Sequence, residues 1–89
     1  EAYRIGLVNK VVAEEELADE TAALAGRLAA LPTRALGRTK QSLHASFESG
    51  LATALEREAE GQTLCGYTDD HREGIVAFRE KREPRFSGR

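Results

Sequence analysis

The chain has a single cysteine, Cys65, among its 89 residues. An intramolecular disulfide therefore cannot form, and no second thiol is present to bind zinc or to take part in thiol exchange. No apolar run approaches the roughly 20 residues that a membrane-spanning helix needs, and no charged-then-apolar leader resembles a signal peptide. These absences predict a soluble protein of a reducing compartment, the cytoplasm.

The usual signatures of catalysis and metal binding are also scarce. His44 and His71 are too far apart in sequence to put two ligands on one helical face, so we expect no metal site. The glycines show no phosphate-loop spacing, and a net charge of -2 gives no global field for nucleic acid or an acidic membrane. Cys65 has no recognisable base and is expected in the core. We predict no catalytic residue in this chain.

The length of the chain allows one small domain, which buries only about 60 to 65% of the surface that its unfolded form exposes. We therefore expect partner surfaces. The sequence begins at Glu1 without an initiating methionine, and its first residues resemble the tail of an element that began earlier. We expect a fragment with two parts: residues 1–12, the end of a preceding core helix plus an extended link, and residues 13–89, a C-terminal helical assembly domain.

Apolar residues recur at steps of three and four through most of the chain, which predicts an all-α fold of about four helices. The first is expected over 14–31, the second after Pro32, the third from 51 to 66 and the fourth from 69 to about 82. Ser46 and Ser49 are candidate caps at the break before the third helix. Glu58 and Gln62 interrupt the apolar face of that helix, so we expect them to find polar partners across a helix contact or a subunit contact.

The last helix carries the clearest signals. Thr68 can cap its N-terminus, and Asp69 and Asp70 place negative charge at the positive end of the macrodipole. Pro84 cannot donate a backbone hydrogen bond and disfavours helical geometry in the residue before it. The helix is therefore expected to end near Arg82.

An aromatic ring and several cations lie together on this helix. Phe78 and Lys81 are three residues apart and should share a face, with Gly74 one turn earlier leaving space near the backbone. Such a pairing suits a phosphorylated nucleotide, because the ring can stack on a base while cations meet the phosphates. The structural alternative makes Phe78 a core residue. For Lys40, on the second helix, the expectation is a stem that covers apolar surface, with a bound phosphate or carboxylate as the alternative.

The chain resembles the C-terminal end of the crotonase superfamily, the enoyl-CoA hydratases and isomerases. The resemblance rests on two motifs, Asp69-Asp70-x-x-Glu73-Gly74-Ile75-x-Ala77-Phe78-x-Glu80-Lys81-Arg82-x-Pro84-x-Phe86 and, upstream, Ala2-x-x-x-Gly6-Leu7-Val8-Asn9-x-Val11-Val12. It covers the whole chain and does not specify a subfamily.

The resemblance implies the helical part of an enzyme whose α/β spiral core is absent from this chain. Such enzymes are usually trimers or pairs of trimers that act on acyl-CoA thioesters through an enolate, in fatty-acid or aromatic-acid degradation, without a tightly bound cofactor. Phe78 and Lys81 match positions beside the coenzyme A nucleotide, whereas the catalytic groups normally precede Gly6. The chain would then serve oligomerisation and closure of the CoA site. The alternative is a non-enzymatic helical module that binds a protein partner.

Overall fold

A computed structural model describes all 89 residues and contains four α-helices and no strand. A 3-10 turn at Glu14–Glu16 leads into the first helix. The helices are α1 (Leu17–Ala29), α2 (Thr33–Ser46), α3 (Leu51–Gly66) and α4 (Asp69–Glu80). The predicted all-α fold of about four helices is confirmed.

The first residues form one hydrogen-bonded turn that ends at a glycine. The amide of Ile5 donates to the carbonyl of Glu1 at 3.1 Å, and the amide of Leu7 reaches back to the carbonyl of Ala2 at 2.9 Å. Gly6 has a φ of 76°, which a residue with a side chain rarely adopts. This is the Schellman pattern of a helix end. The division into residues 1–12 and 13–89 remains a prediction.

Pro32 separates α1 from α2, as its missing N–H requires. It is the N-cap residue of α2, where its carbonyl accepts from the amide of Leu36 at 3.1 Å. The proposed caps of the following break are wrong. The hydroxyls of Ser46 and Ser49 donate to carbonyls in the last turn of α2, at 2.7 and 2.8 Å, and α3 begins after Gly50 without a side-chain cap.

Helix α4 begins as predicted and ends two residues early. The Thr68 hydroxyl accepts from the amide of His71 at 3.1 Å and donates to the carbonyl of Cys65 at 2.7 Å. The last helical residue is Glu80, because Lys81 adopts a left-handed backbone with a φ of 54°. The amide of Arg82 then bonds to the carbonyl of Ala77 at 3.1 Å, which closes a second Schellman turn.

The helices pack loosely. Helix α2 lies against α3 and α3 contacts α4, whereas α1 makes no comparable contact with α2, α3 or α4. Only Thr68, Asp70 and Ala77 are buried. Glu58 and Gln62 are exposed, so the expected partner across a neighbouring helix of this chain is wrong, and a partner across a subunit contact remains a prediction.

The dimensions show the same open arrangement. The radius of gyration is 16.7 Å, against about 12 Å for a compact chain of this length. The accessible surface is 7702 Å², against about 5,100 Å² for a compact protein of this mass. None of the helices has the length and apolar character needed to span a membrane.

Candidate functional site

An apolar groove of about 470 Å³ runs beside α4. The start of α2, the end of α3, one side of α4 and the tail after α4 form its walls. Its lining residues are Pro32, Arg34, Ala35, Cys65, Thr68, Asp70, His71, Gly74, Ile75, Phe78, Arg79 and Phe86. The groove has an apolar floor with arginine side chains among its walls, which suits a ligand or partner that combines apolar and anionic groups.

Phe78 lines this groove and is 86% exposed. The structural alternative, in which Phe78 belongs to the core, is therefore wrong within this chain. Exposing a phenylalanine ring forgoes about 1.5 to 3 kcal/mol of burial free energy. A ring left in this position is available to a ligand or to another protein surface.

Lys81 lies just beyond the helix and not on its face. Its amide donates to the carbonyl of Phe78 at 3.3 Å, so the two residues are adjacent through the backbone. The left-handed conformation breaks the helical spacing from which a shared face was predicted, and Lys81 is not among the groove-lining residues. Its ammonium group forms no ion pair within the chain, so it is free to meet an anion. The assignment of Phe78 and Lys81 to CoA binding remains a prediction.

Arg82, two residues beyond the end of α4, is held by carboxylates. Its Nη1 and Nη2 contact the two carboxylate oxygens of Glu73 at 2.6 and 3.0 Å, and its Nε contacts Glu80 Oε2 at 2.7 Å. These bonds raise the pKa of Arg82 and, together with a bond from the amide of Arg85, lower the pKa of Glu73 to about 2. Arg82 therefore organises the end of α4 and is not available to a phosphate.

Asp70 is the residue that sequence reasoning missed. Its carboxylate is buried and accepts from the amides of Ser87 and Gly88, whereas the sequence suggested only a favourable charge at a helix end. Asp69 and Asp70 are the same residue type in adjacent positions of the first turn. No local signal separates them, because the bonds that distinguish Asp70 come from residues at least seventeen positions later.

The other candidates give no catalytic arrangement. Cys65 and His71 both line the groove, but no hydrogen bond joins the Cys65 thiol to the imidazole. Cys65 is half-buried, so the expectation that it lies in the core is wrong. Lys40 is exposed and without an ion pair. No group of three histidine, cysteine, aspartate or glutamate residues is placed to hold a metal ion.

Comparison with known proteins decides the family. A family model described as enoyl-CoA hydratase/isomerase matches residues 1–89. The chain belongs to the enoyl-CoA hydratase/isomerase family. The resemblance drawn from the two motifs is thereby confirmed. The chain is 40% identical over 89 residues to 1,2-epoxyphenylacetyl-CoA isomerase of Escherichia coli K12, and the match covers 100% of this chain and 34% of the relative.

Other members of the enoyl-CoA hydratase/isomerase family match equally well. Crotonyl-CoA hydratase of Syntrophomonas wolfei is 41% identical over 86 residues, with 97% of this chain and 33% of the relative covered. A solved structure from Mycobacterium abscessus, described as an enoyl-CoA hydratase/isomerase, superimposes with a TM-score of 0.94 at 41% identity. That match covers 99% of this chain and 34% of the other. The chain thus spans about a third of the length of the family members it matches.

Proposed function

We propose that these 89 residues are the C-terminal helical segment of a cytoplasmic acyl-CoA-processing enzyme of the hydratase/isomerase type. The parent would stabilise a thioester enolate during hydration, isomerisation or a related step, with coenzyme A entering only as part of the substrate. Membership of the family, together with relatives whose names include CoA substrates, supports this proposal.

In the proposal this segment contributes binding, because none of its residues is assigned to the reaction. Phe78 would stack on the adenine base, and the Lys81 ammonium would pair with a phosphate of the nucleotide. The single observation that supports this role is the pair itself, an almost fully exposed ring joined through the backbone to an unpaired lysine. Binding energy gained at the nucleotide helps to hold the distant thioester in position for reaction.

The second proposed task is assembly into a trimer or a pair of trimers. Its support is the unpacked α1, which leaves Leu24 and Leu28 nearly half exposed, and the large excess of accessible surface. A non-enzymatic module that binds a protein partner would use the same surfaces. An assay of the complete gene product with crotonyl-CoA distinguishes the two functions, because turnover supports the enzyme and its absence supports the binding module.

The experiment is Lys81→Ala and Phe78→Ala in the complete gene product, assayed with crotonyl-CoA. Loss of a hydrogen bond to a charged group costs about 1.5 to 3 kcal/mol, so the Michaelis constant should rise roughly ten- to a hundredfold in Lys81→Ala. Turnover should change less. Crotonyl-pantetheine, which lacks the nucleotide, should show no difference between the variants and the parent.

Arg72→Ala is the matched control, because Arg72 is an exposed cation at the opposite end of α4. It should leave both kinetic constants within twofold of the parent. An unchanged Michaelis constant for crotonyl-CoA in Lys81→Ala would remove Lys81 from the CoA site. An equal loss with crotonyl-pantetheine would mean that the residue acts through folding.

A further inference from the structure

Asp70 is a buried charged residue to which the proposed function gives no role. Asp70 is one of only three buried residues in the chain and is 3% exposed. Oδ1 accepts from the amide of Ser87 at 2.6 Å, and Oδ2 accepts from the amide of Gly88 at 2.9 Å. Its own amide donates to the carbonyl of Arg89 at 2.9 Å. One residue in the first turn of α4 therefore binds three consecutive residues of the tail.

Glu73 binds the same tail one helical turn later. Its Oε1 accepts from the amide of Arg85 at 2.8 Å while both oxygens hold the Arg82 guanidinium. The two carboxylates thus fix the chain on either side of Phe86. We call residues 82–89 the strap.

Phe86 is held against α4 at the one place where the helix has no side chain. Its Cε1 lies 3.8 Å from the position that a Cβ would occupy on Gly74. The ring is one wall of the groove that Phe78 also lines. The strap therefore contributes to the shape of the groove through Phe86, the one residue of the strap that lines it.

A helix-end charge alone does not account for Asp70. Asp69 makes the same electrostatic contribution to the first turn and keeps its side chain 65% exposed, with only a 3.4 Å ion pair to Arg72. Asp70 instead gives up its hydration, and backbone donors from the tail replace the water. Replacement of water by backbone donors is expected of a carboxylate that holds another segment in place.

We propose that Asp70 is a positioning residue, which fixes the strap so that Phe86 forms a wall of the groove. The proposal concerns the chain's own architecture. It stands whether the groove receives acyl-CoA or a protein surface, so it fails or succeeds independently of the proposed function.

The test compares Asp70→Asn with Asp69→Asn in the complete gene product. Both variants remove one charge from the same helical turn, but only Asp70→Asn places an amide N–H₂ against the strap's N–H donors. Amide hydrogen exchange of a peptide covering residues 84–89 should become at least tenfold faster in Asp70→Asn and stay within twofold in Asp69→Asn. Exchange in α2 and α3 should not change in either.

A ring signal reports on positioning directly. With 4-fluorophenylalanine introduced at position 86, the fluorine resonance should move towards its denatured-state value in Asp70→Asn and stay in place in Asp69→Asn. Identical strap exchange and identical resonances in the two variants would overturn the proposal.

Ser87→Pro keeps the proposal testable if Asp70→Asn does not fold. It deletes the 2.6 Å donor from the strap side and leaves α4 untouched. It should speed strap exchange as Asp70→Asn does. Exchange is the measurement for this variant, because a proline also restricts the backbone of the preceding residue, Phe86. Where both variants fold, adding Asp70→Asn to Ser87→Pro should change strap exchange by less than twofold, because the one oxygen of the new amide can still accept from the remaining donor, the Gly88 amide. Additive effects, or unchanged strap exchange in Ser87→Pro, would contradict the assignment.

Discussion

Glu73 has the most strongly lowered pKa in the chain. The bonds from the Arg82 guanidinium and the Arg85 amide bring its pKa from 4.5 to about 2. The ionised form is therefore favoured by folding, so this contribution to stability is complete above about pH 4.5 and is lost as the pH falls towards 2. In that range the unfolded chain binds up to one more proton than the folded chain at this residue.

Glu73→Gln should remove this pH dependence. Between pH 5 and pH 3 the free energy of unfolding of the unsubstituted protein should fall more steeply with falling pH than that of the variant. The difference between the two slopes should correspond to the uptake of up to one proton on unfolding. Urea titrations at several pH values measure the slope. Arg82→Gln is the matched variant, because it removes the guanidinium that lowers the Glu73 pKa, and its slope should fall towards that of Glu73→Gln. Equal slopes for the parent and Glu73→Gln would show that the bonds to Arg82 and Arg85 do not persist in solution.

Lys81 has an unfavourable left-handed backbone conformation, and its ammonium group forms no ion pair within the chain. A left-handed conformation costs a residue with a side chain roughly 1 kcal/mol, whereas glycine adopts it freely. Lys81→Gly should therefore raise the free energy of unfolding by about 1 kcal/mol, while Lys81→Ala should leave it nearly unchanged. Urea denaturation distinguishes them. A destabilised Lys81→Gly would mean that the lysine side chain contributes to the fold.

At the scale of elements, proline, glycine and the Thr68 cap made most helix boundaries predictable. Pro32 and Gly66 act within a few residues of the boundaries they set, so local chemistry was sufficient there. The end of α4 was placed too late because Lys81 enters the left-handed region, which the lysine side chain does not signal. The strap could not be predicted at all, since Asp70 and Ser87 meet only after the chain has turned back along α4.

Helix α1 makes no contact with the other helices comparable to the packing of α2 against α3. An isolated helix of 13 residues is marginal in water, because tertiary packing supplies most helical stability in proteins. In a protein of these 89 residues alone, the amides of α1 should exchange close to unfolded rates, at least tenfold faster than those of α3. Hydrogen exchange followed by NMR measures both. In the complete gene product α1 should be protected. Protection of α1 in the short chain would show that it docks onto α2–α4 in solution.

The whole molecule exposes about 2,600 Å² more surface than a compact chain of its mass would. A standard protein interface buries about 800 Å² per partner. The excess is thus equivalent to about three such surfaces, which supports the proposal that this segment packs against other protein surfaces. The positions of the helices are set locally in these residues, but the stability of α1 and the burial of the apolar faces depend on what surrounds them.

The 89 residues alone should show no hydratase activity with crotonyl-CoA. A binding segment without groups that polarise the thioester or transfer protons cannot lower the barrier, even where it retains affinity for the nucleotide. The assay follows loss of the enoyl absorbance at saturating substrate, with the complete gene product as the positive control. Circular dichroism on the same sample establishes that the short chain is helical. Turnover by a helical and homogeneous preparation would contradict this account, because it would place catalytic groups among residues to which we assign only binding and assembly.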